Sequence, residues 1–371
     1  MKKVLLLLSL FIIAILSANA ATMPADTGKV GTGADPKDPP LIFSGSVDTY
    51  WKYDFSGHGN IPTSFASEQN SISIGMLDLG LKKKVGKVAF VGELSFGPRG
   101  QEQSLPDGSN ALNPIVANDV SSYHIQNLYV SYDVTDKFNL TAGYMSTFIG
   151  YEVISPTGNF NYSTSYLFTN GPFQNAGFKA TYAFSDKVSL MAGIFNNYWN
   201  TYTSYRSTGE EGLASGDVST FGAQLMVVPV KGWTAYLNFI SGSYSGTEED
   251  LTTNYQITDA FKLGLNAANF SAPHAGGGFE GAALYPQLAV SKVVTLGLRG
   301  EYFEYKAVGT SPKASVTGIT ATANIKAGAL TIIPEVRFDN KNANFPTTFL
   351  DSNGASTNSA SQFLIAAVYA F

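Results

Sequence analysis

Along most of this chain, apolar and polar residues alternate one by one. Successive side chains of a β-strand point to opposite faces of the sheet, so each face of such a segment has its own character. In the first segment Phe43, Val47 and Trp51 fall on one face, and Asp48 and Lys52 fall on the other. One face suits lipid and the other suits water, which is the pattern of strands in a transmembrane β-barrel.

The alternation recurs to the end of the chain, in segments that include those beginning at Phe138, Phe178, Val188, Phe221, Trp233, Phe261, Val294 and Leu330. Short connections lie near residues 84–87, 134–137, 185–187, 230–232, 258–260, 291–293 and 326–328. Long connections lie near residues 56–70, 97–121, 147–173, 199–217, 241–250, 269–278, 306–313 and 340–360. Eight long and seven short connections in strict alternation join 16 strands, with short periplasmic turns and long external loops.

The sequence therefore predicts an all-β fold, a transmembrane antiparallel β-barrel of 16 strands. Two features leave a count of 14 or 18 open, because the alternation is weak near 252–258 and 314–326. Residues 71–81 change phase around Met76 and Leu77, which indicates a β-bulge.

Composition supports this class. Charged residues make up 14% of the chain and aromatic residues 13%, whereas a soluble domain carries about 25% charged residues. A soluble β-solenoid or sandwich would need more charge on its polar faces. Without Lys2 and Lys3 the chain has 21 basic and 28 acidic residues, and nothing in it favours nucleic-acid binding.

Few residues could support metal or covalent chemistry. The chain has no cysteine, and its histidines, His58, His124 and His274, lie far apart in sequence. There is no Gly-x-Ser-x-Gly elbow, phosphate-binding loop or His-Glu-x-x-His motif. We therefore expect no metal, no other cofactor and no enzymatic activity.

The N-terminus has the features of an export signal. Lys2 and Lys3 precede an apolar run over 4–16, and residues 18–20 form a small-x-small cleavage site. The run is shorter than the roughly 20 residues that a spanning helix needs. We expect a signal peptide over 1–20, a flexible periplasmic leader over 21–41, and an outer-membrane barrel over 42–371.

The last residues alternate up to the C-terminus, with apolar side chains at Phe363, Ile365, Ala367, Tyr369 and Phe371. This is similar to the C-terminal signature strand of outer-membrane proteins. The resemblance implies that Tyr369 and Phe371 are the signal recognised by the β-barrel assembly machinery.

The third long connection, 147–173, is too apolar and aromatic for a freely moving surface loop. It follows strand five, the place where general porins fold a loop inward. We interpret it as a constriction loop, and an external loop packed on its neighbours is the alternative. The candidate constriction residues are Tyr151, Glu152, Asn159, Asn161, Tyr162 and Ser163.

The strand phase places a set of charges on the lumen side, where they avoid the cost of about 2–4 kcal/mol for Arg or Lys at mid-bilayer. These lumen charges are Asp48, Lys52, Lys179, Lys262, Arg299, Glu301, Glu335, Arg337 and Asp339, and Asp54 and Glu93 share their phase. They could brace the wall around the folded loop or filter ions. Their near balance does not decide between cation and anion preference.

Several segments resemble the β-barrel porin 2 family of outer-membrane proteins. They are residues 150–152, Asn159, residues 161–163 and 165–168 in the loop, and residues 298–303 and 334–339 in the strands. The resemblance covers the chain from about Ile42 and implies a pore. The acid that usually follows the Arg-x-Glu-Tyr-Phe motif is displaced here, since Glu304 precedes Tyr305.

We therefore expect an outer-membrane porin of a Gram-negative-type bacterium that lets small polar solutes or ions diffuse through a water-filled barrel. The alternative is a structural or adhesive barrel with binding loops and a largely closed lumen, for which an ordered outward loop at 340–360 would be the sign. The expected partners are outer-membrane lipid, the assembly machinery and the solutes. The apolar outer face suits lipid and a homotrimer contact equally.

Overall fold

The computed structural model describes residues 39–61, 64–99, 125–197, 199–200 and 218–371. The described strands close into an antiparallel barrel of 16 strands, which confirms the predicted fold and strand count. The expected signal peptide over 1–20, residues 21–38 of the expected leader, and His124 lie outside the described residues.

Each barrel strand pairs with its neighbours along the chain, and the first strand pairs with the last. The barrel strands are β1 (Ile42–Asp54), β2 (Ile72–Val85), β3 (Val88–Phe96), β4 (Ile125–Thr135), β5 (Phe138–Ser146), β6 (Gln174–Ser185), β7 (Val188–Phe195), β8 (Thr220–Val227), β9 (Trp233–Gly242), β10 (Gly246–Gln256), β11 (Phe261–Ser271), β12 (Gly278–Ala289), β13 (Val294–Tyr305), β14 (Ala314–Ala327), β15 (Leu330–Lys341) and β18 (Ser359–Ala370). A separate two-stranded ribbon, β16 (Phe349–Leu350) and β17 (Ser356–Thr357), lies in the connection before β18.

Outside the strands, the elements among the described residues include a short α-helix, α1 (Tyr166–Asn170), and 3-10 turns at Pro156–Gly158 and Pro273–Ala275. The Ser165 hydroxyl caps α1 by accepting a hydrogen bond from the Phe168 amide over 3.1 Å. Among the described residues, no helix is long and apolar enough to cross a membrane.

The seven short connections all lie at one end of the barrel, which we call the turn end, and the other connections lie at the opposite loop end. One predicted long loop was wrong. Residues 241–250 are mostly strand, because only 243–245 separate β9 from β10. Gly246 supports the tight reversal with a φ of 77°. The segment looked like a loop because Glu248, Glu249 and Asp250 make both faces polar where β10 nears the loop end.

The predicted bulge near Met76 is present in β2. The β1–β2 register changes from Val47 opposite Leu77 to Thr49 opposite Ile74, so Gly75 and Met76 together face Asp48. The Met76 amide donates to Asp48 Oδ1 over 2.9 Å. The backbone can approach this carboxylate because residue 75 is glycine, since a Cβ there would lie 1.8 Å from Asp48 Oδ2.

The two faces of the wall differ as the alternation predicts. Large apolar side chains such as Ile74 (65% exposed) and Phe338 (54% exposed) cover the outside. An apolar outer band of this extent matches a lipid environment rather than water. The inward face is polar and largely covered, and Arg299 and Arg337 are among its most deeply buried side chains. The packed core therefore lies inside the barrel, between the wall and the connection over 147–173.

Candidate functional site

The connection between β5 and β6, residues 147–173, enters the barrel interior and contacts strands far from its own. The Gly150 amide donates to Asp250 Oδ1 on β10 over 3.1 Å, and the Asn161 side chain donates to Thr322 on β14 over 2.6 Å. Asp250 and Thr322 belong to the inward face of the wall. The loop therefore runs along the inner wall from β8 to β15 and on to β1.

Three aromatic side chains of this loop occupy gaps that glycines leave in the inner wall. A Cβ at Gly222 would lie 2.5 Å from the Phe148 ring. A Cβ at Gly264 would lie 2.2 Å from the Tyr151 hydroxyl, and a Cβ at Gly297 would lie 2.2 Å from the Phe160 ring. Each glycine is therefore required for the position that the ring above it adopts.

Tyr151 is fixed on two further sides. Its ring stacks on Tyr285 of β12 with 4.3 Å between centroids, and its hydroxyl donates to Asn254 of β10 over 2.6 Å. The aromatic content that marked this loop in the sequence thus serves to pack it against the wall.

A buried ionic network joins the loop to β13 and β15. Arg299 pairs with Glu152 of the loop at 2.9 Å and with Glu301 at 3.5 Å. Arg337 pairs with Glu301 at 3.1 Å and with Asp339 at 2.8 Å. All five side chains are buried. Because charges in a covered site are stable only when they are paired and hydrogen-bonded, this network favours one arrangement of loop and wall.

The wall charges also satisfy the loop's backbone. Glu335 accepts hydrogen bonds from the amides of Tyr162 and Ser163 over 2.9 and 3.1 Å, and from the Ser163 hydroxyl. Arg337 donates to the Thr164 carbonyl over 2.8 Å. Irregular backbone inside a barrel needs such partners because its own amides and carbonyls are not paired in a helix or sheet.

Two tyrosines of the loop donate to aspartates of the wall. The Tyr162 hydroxyl bonds Asp48 of β1, and the Tyr166 hydroxyl bonds Asp339 over 2.7 Å. The Tyr166 amide also donates to Glu301 over 2.8 Å. Burial raises the pKa of both phenols well above the usual range, so both keep the proton that they donate.

The six candidate constriction residues all lie in the inward loop, but most face the wall. Glu152, Asn161, Tyr162 and Ser163 are buried, and Tyr151 is half-buried. Asn159 bonds both backbone groups of Val153, at 2.9 and 2.6 Å, and so closes the turn over 153–159. The carboxylate of Glu152 is taken up by Arg299 and by the Ser165 amide and hydroxyl, at 2.7 and 2.8 Å, rather than presented to open space.

The lumen charges fall into three groups. Asp48, Arg299, Glu301, Glu335, Arg337 and Asp339 all bond the loop or one another, as described above. Lys52 is buried near Asp54 and Glu68. Lys179 of β6 and Lys262 of β11 are half-buried, and neither forms an ion pair with any described residue. Lys179 lies two residues from Gly177 and opposite Gly193, and the Phe195 ring of β7 covers both glycines.

Arg99 was not among the predicted site residues. It follows β3 and is 1% exposed, lying 4.2 Å from the Phe65 ring centroid and 4.7 Å from that of Tyr162. It donates to the carbonyls of Ile154 and Tyr162 over 3.1 and 3.3 Å. Arg99 therefore ties the connection after β3 to the inward loop. Alternation could not reveal it, because it lies outside any strand.

Asp250 and Glu248 were also missed, since residues 241–250 were read as a loop. Asp250 accepts hydrogen bonds from the side chains of Asn238 and Asn266 in addition to the Gly150 amide. The signal was present in the sequence, because Glu248, Asp250 and Thr252 share the phase of the inward residues of β10.

The connection over 342–358 packs onto the loop end of the barrel. Phe345 meets the Tyr166 ring edge-on at 5.6 Å between centroids, and Phe349 is completely buried. Asn60 of the first connection exchanges two hydrogen bonds with the Leu350 backbone, at 2.8 and 2.9 Å. The ribbon β16–β17 is thus anchored to the rest of this end.

The protein is a closed barrel of 16 strands, and the connection after β5 folds inward and is held to the wall by buried ion pairs. This arrangement is typical of the class of outer-membrane porins. More particularly, the family profile described as "Putative beta-barrel porin-2, OmpL-like" matches residues 40–371, and the chain belongs to this family. It is therefore an outer-membrane porin.

Solved structures with the same fold agree. The anion-selective porin from Comamonas acidovorans superposes with a TM-score of 0.58 at 12% identity, over 90% of this chain and 99% of that one. The outer membrane channel DcaP of Acinetobacter baumannii gives 0.56 at 11%, over 89% and 97%. OmpT of Vibrio cholerae, in trimer form, gives 0.54 at 12%, over 90% and 99%. At these identities the likeness concerns the fold alone. No curated protein is a significant match to the sequence.

Proposed function

We propose that this porin is a passive diffusion channel for small polar solutes and ions, and that the loop over 147–173 sets its size limit. The observation that carries the proposal is that the loop is anchored along the wall from β8 through β15 to β1. The inward residues of β3–β6 include Tyr129, Ser131, Asn139 and Lys179, which are all partly exposed. We place the water path along this polar side.

In this proposal Glu152, Asn161, Tyr162 and Ser163 hold the loop in place, and the turn over 153–159 forms the free edge of the constriction. Val153 is 43% exposed at that edge. The unpaired Lys179 and Lys262 are then the lumen charges that passing ions meet, whereas the Arg299 and Arg337 network has a bracing role. Rings or patches of unpaired charge are the usual source of ion preference in pores.

A barrel with a largely closed lumen is the second candidate. The packing of Phe148, Tyr151, Phe160 and Tyr166 between loop and wall favours it, because these rings fill much of the interior. Planar-bilayer recording of purified, folded protein separates the two. Discrete conductance steps, and a cut-off when neutral polymers of increasing size are added, are expected for the diffusion channel. Folded protein that inserts without steps would contradict it.

For its setting in the cell, we propose export by the signal peptide over 1–20 and assembly through the C-terminal strand, with Tyr369 and Phe371 as the recognised side chains. The turn end then faces the periplasm and the loop end faces outward. We also propose a homotrimer, an assembly supported by the trimer form of the related OmpT fold. Cross-linking in native membranes tests it, and a monomer alone would oppose it.

A further inference from the structure

The charges of this barrel are distributed unevenly along its axis. Every one of the seven connections at the turn end carries a lysine, either in the turn or in the strand within two residues of it. We call this set the lysine ring: Lys84, Lys137, Lys187, Lys231, Lys262, Lys292 and Lys326. The ring follows the turns between β2 and β15 and is interrupted only where β18 and β1 meet.

Only part of this charge is neutralised. Lys82, Lys83 and Lys87 add to the ring at the same end, and the acids there are Asp133, Asp136, Asp186 and Asp259. Lys84 pairs with Asp133 at 2.6 Å, and no other ring lysine forms an ion pair with a described residue. Lys262 and Lys326 share the inward phase of Gly264 and Thr322 on their strands, so part of the ring faces the pore.

Among the described residues, the loop end has no comparable set. By the same criterion its described lysines are Lys306 and Lys313 in the connection over 306–313 and Lys341 at the end of β15, which is buried against the Phe349 ring. Lys313 is held by Glu304 and by Glu280, the latter at 3.6 Å. Arg99 is buried against Phe65 and Tyr162. The solvated positive charge of the described chain is therefore concentrated at one mouth.

Neighbouring turns are two strands apart, or about 10 Å at the usual strand spacing. This matches the screening length of about 10 Å at 0.1 M salt, so the fields of neighbouring lysines overlap there. At 1 M salt the screening length is about 3 Å and each lysine acts alone. The screened Coulomb potentials of the lysines and acids at this end add on the pore axis. Their sum gives a roughly twofold enrichment of small anions at the mouth at 0.1 M salt.

We propose that the lysine ring makes the periplasmic mouth an anion-collecting vestibule and that conduction through the pore is therefore asymmetric. This rests on the proposed diffusion function. A voltage that drives anions from the ring into the pore draws on the enriched anions at this mouth. The opposite voltage draws anions from the loop end, where they are not enriched. Current is larger when the external side is positive, because that polarity moves anions from the periplasmic mouth outward. Small anionic solutes leaving or entering by this mouth are the favoured substrate class.

The test is the current–voltage curve of single channels of known orientation. The chain has no cysteine, so Ser352→Cys places one thiol in the exposed connection over 342–358 at the loop end. A bulky membrane-impermeant maleimide that changes the current from one chamber only then reports which side is external. The ratio of currents at equal and opposite voltages is expected to exceed one at about 0.1 M KCl and to return to one at about 1 M KCl.

Two matched double variants and one quadruple variant assign the effect. Lys187→Gln with Lys231→Gln removes two exposed ring charges and is expected to bring the ratio closer to one. Lys137→Gln and Lys292→Gln added to this pair bring it closer still. Lys306→Gln with Lys313→Gln makes the same charge change at the loop end and is expected to keep the ratio. Heat-modifiable migration on gels checks that each variant is folded.

The outcomes are distinct. A folded channel that conducts with a symmetric or oppositely asymmetric curve at low salt overturns the vestibule and leaves the porin function standing. An asymmetry that the four ring substitutions leave unchanged also overturns it, and assigns the ring lysines to another use, such as contacts with lipid headgroups. Folded protein without any conductance overturns both proposals.

Discussion

The sharpest test of the anchored loop is the removal of one carboxylate, Glu152. Its two oxygens bind Arg299 of β13 on one side and Ser165, the residue that caps α1, on the other. Glu152→Ala removes these contacts and leaves the completely buried Arg299 guanidinium with Glu301 at 3.5 Å as its remaining counter-ion. No strand residue changes, so the barrel ladder keeps all its hydrogen bonds.

Breaking a buried ion pair by deleting one partner costs about 3–5 kcal/mol. Glu301 still compensates the charge of Arg299 in part. We therefore expect the free energy of loop docking to become less favourable by about 3 kcal/mol, the lower end of this range. At about 1.4 kcal/mol for each factor of ten, the undocked population rises roughly a hundredfold. Single channels of Glu152→Ala are expected to be noisier and to have higher mean conductance. Chymotrypsin is expected to cut at aromatic residues of 147–173 in the folded variant and not in the parent.

Two further variants complete this test. Glu152→Ala with Arg299→Met leaves no unpaired buried charge and is expected to recover part of the protease resistance, because the penalty comes from the orphaned guanidinium. Glu249→Gln removes the same charge at an exposed position of β10, outside the buried network, and serves as the control. If Glu152→Ala and the parent have the same conductance, noise and protease resistance, the network does not hold the loop and the reasoning fails.

Three other substitutions probe different parts of the site. Gly297→Leu places a side chain where Phe160 packs, so we expect loop docking to weaken by about 1–3 kcal/mol, measured as faster proteolysis of the loop. Gly300→Leu, at an outward-facing glycine of the same strand with open space around it, should have no effect. Arg99→Met removes two hydrogen bonds and a cation–π interaction with two rings of about 2 kcal/mol, and it is expected to increase the current noise of single channels. Unchanged current noise would show that Arg99 does not position the loop. Lys179→Gln removes a lumen charge that has no ion-pair partner among the described residues. The reversal potential in a KCl gradient should therefore move toward cation preference, with Lys306→Gln at the loop end as the control.

The strands and the closed barrel could be predicted from sequence, because the alternation of side chains is fixed by the geometry of a strand and needs no knowledge of its neighbours. The same phase placed Arg299 with Glu301, and Arg337 with Glu335 and Asp339, on one face. The inward loop was recognisable by its aromatic residues. The wrong loop over 241–250 shows where this reasoning ends, since a strand that extends beyond lipid can be polar on both faces.

The partners within the site could not be predicted in this way. Glu152 was expected to present its charge to the pore, but its partner Arg299 lies 147 residues further along the chain. Which inward charge meets which loop residue depends on barrel shear and on the path of the loop, and neither is encoded in a local pattern. The role of Gly222, Gly264 and Gly297 could not be predicted either, because a glycine in a strand does not indicate which ring will pack over it.

The distance in sequence between the loop and its anchors has a consequence for how this protein is made. The Gly150 amide bonds Asp250, which is 100 residues further along the chain, and the Tyr162 amide bonds Glu335, which is 173 residues further along. Neighbouring strands can pair as soon as both are present, whereas these contacts need nearly the whole chain and a large loop closure. We therefore expect the loop over 147–173 to be the last part to be assembled. A defect in the inner wall is expected to yield inserted barrels that remain wide open rather than chains that fail to insert.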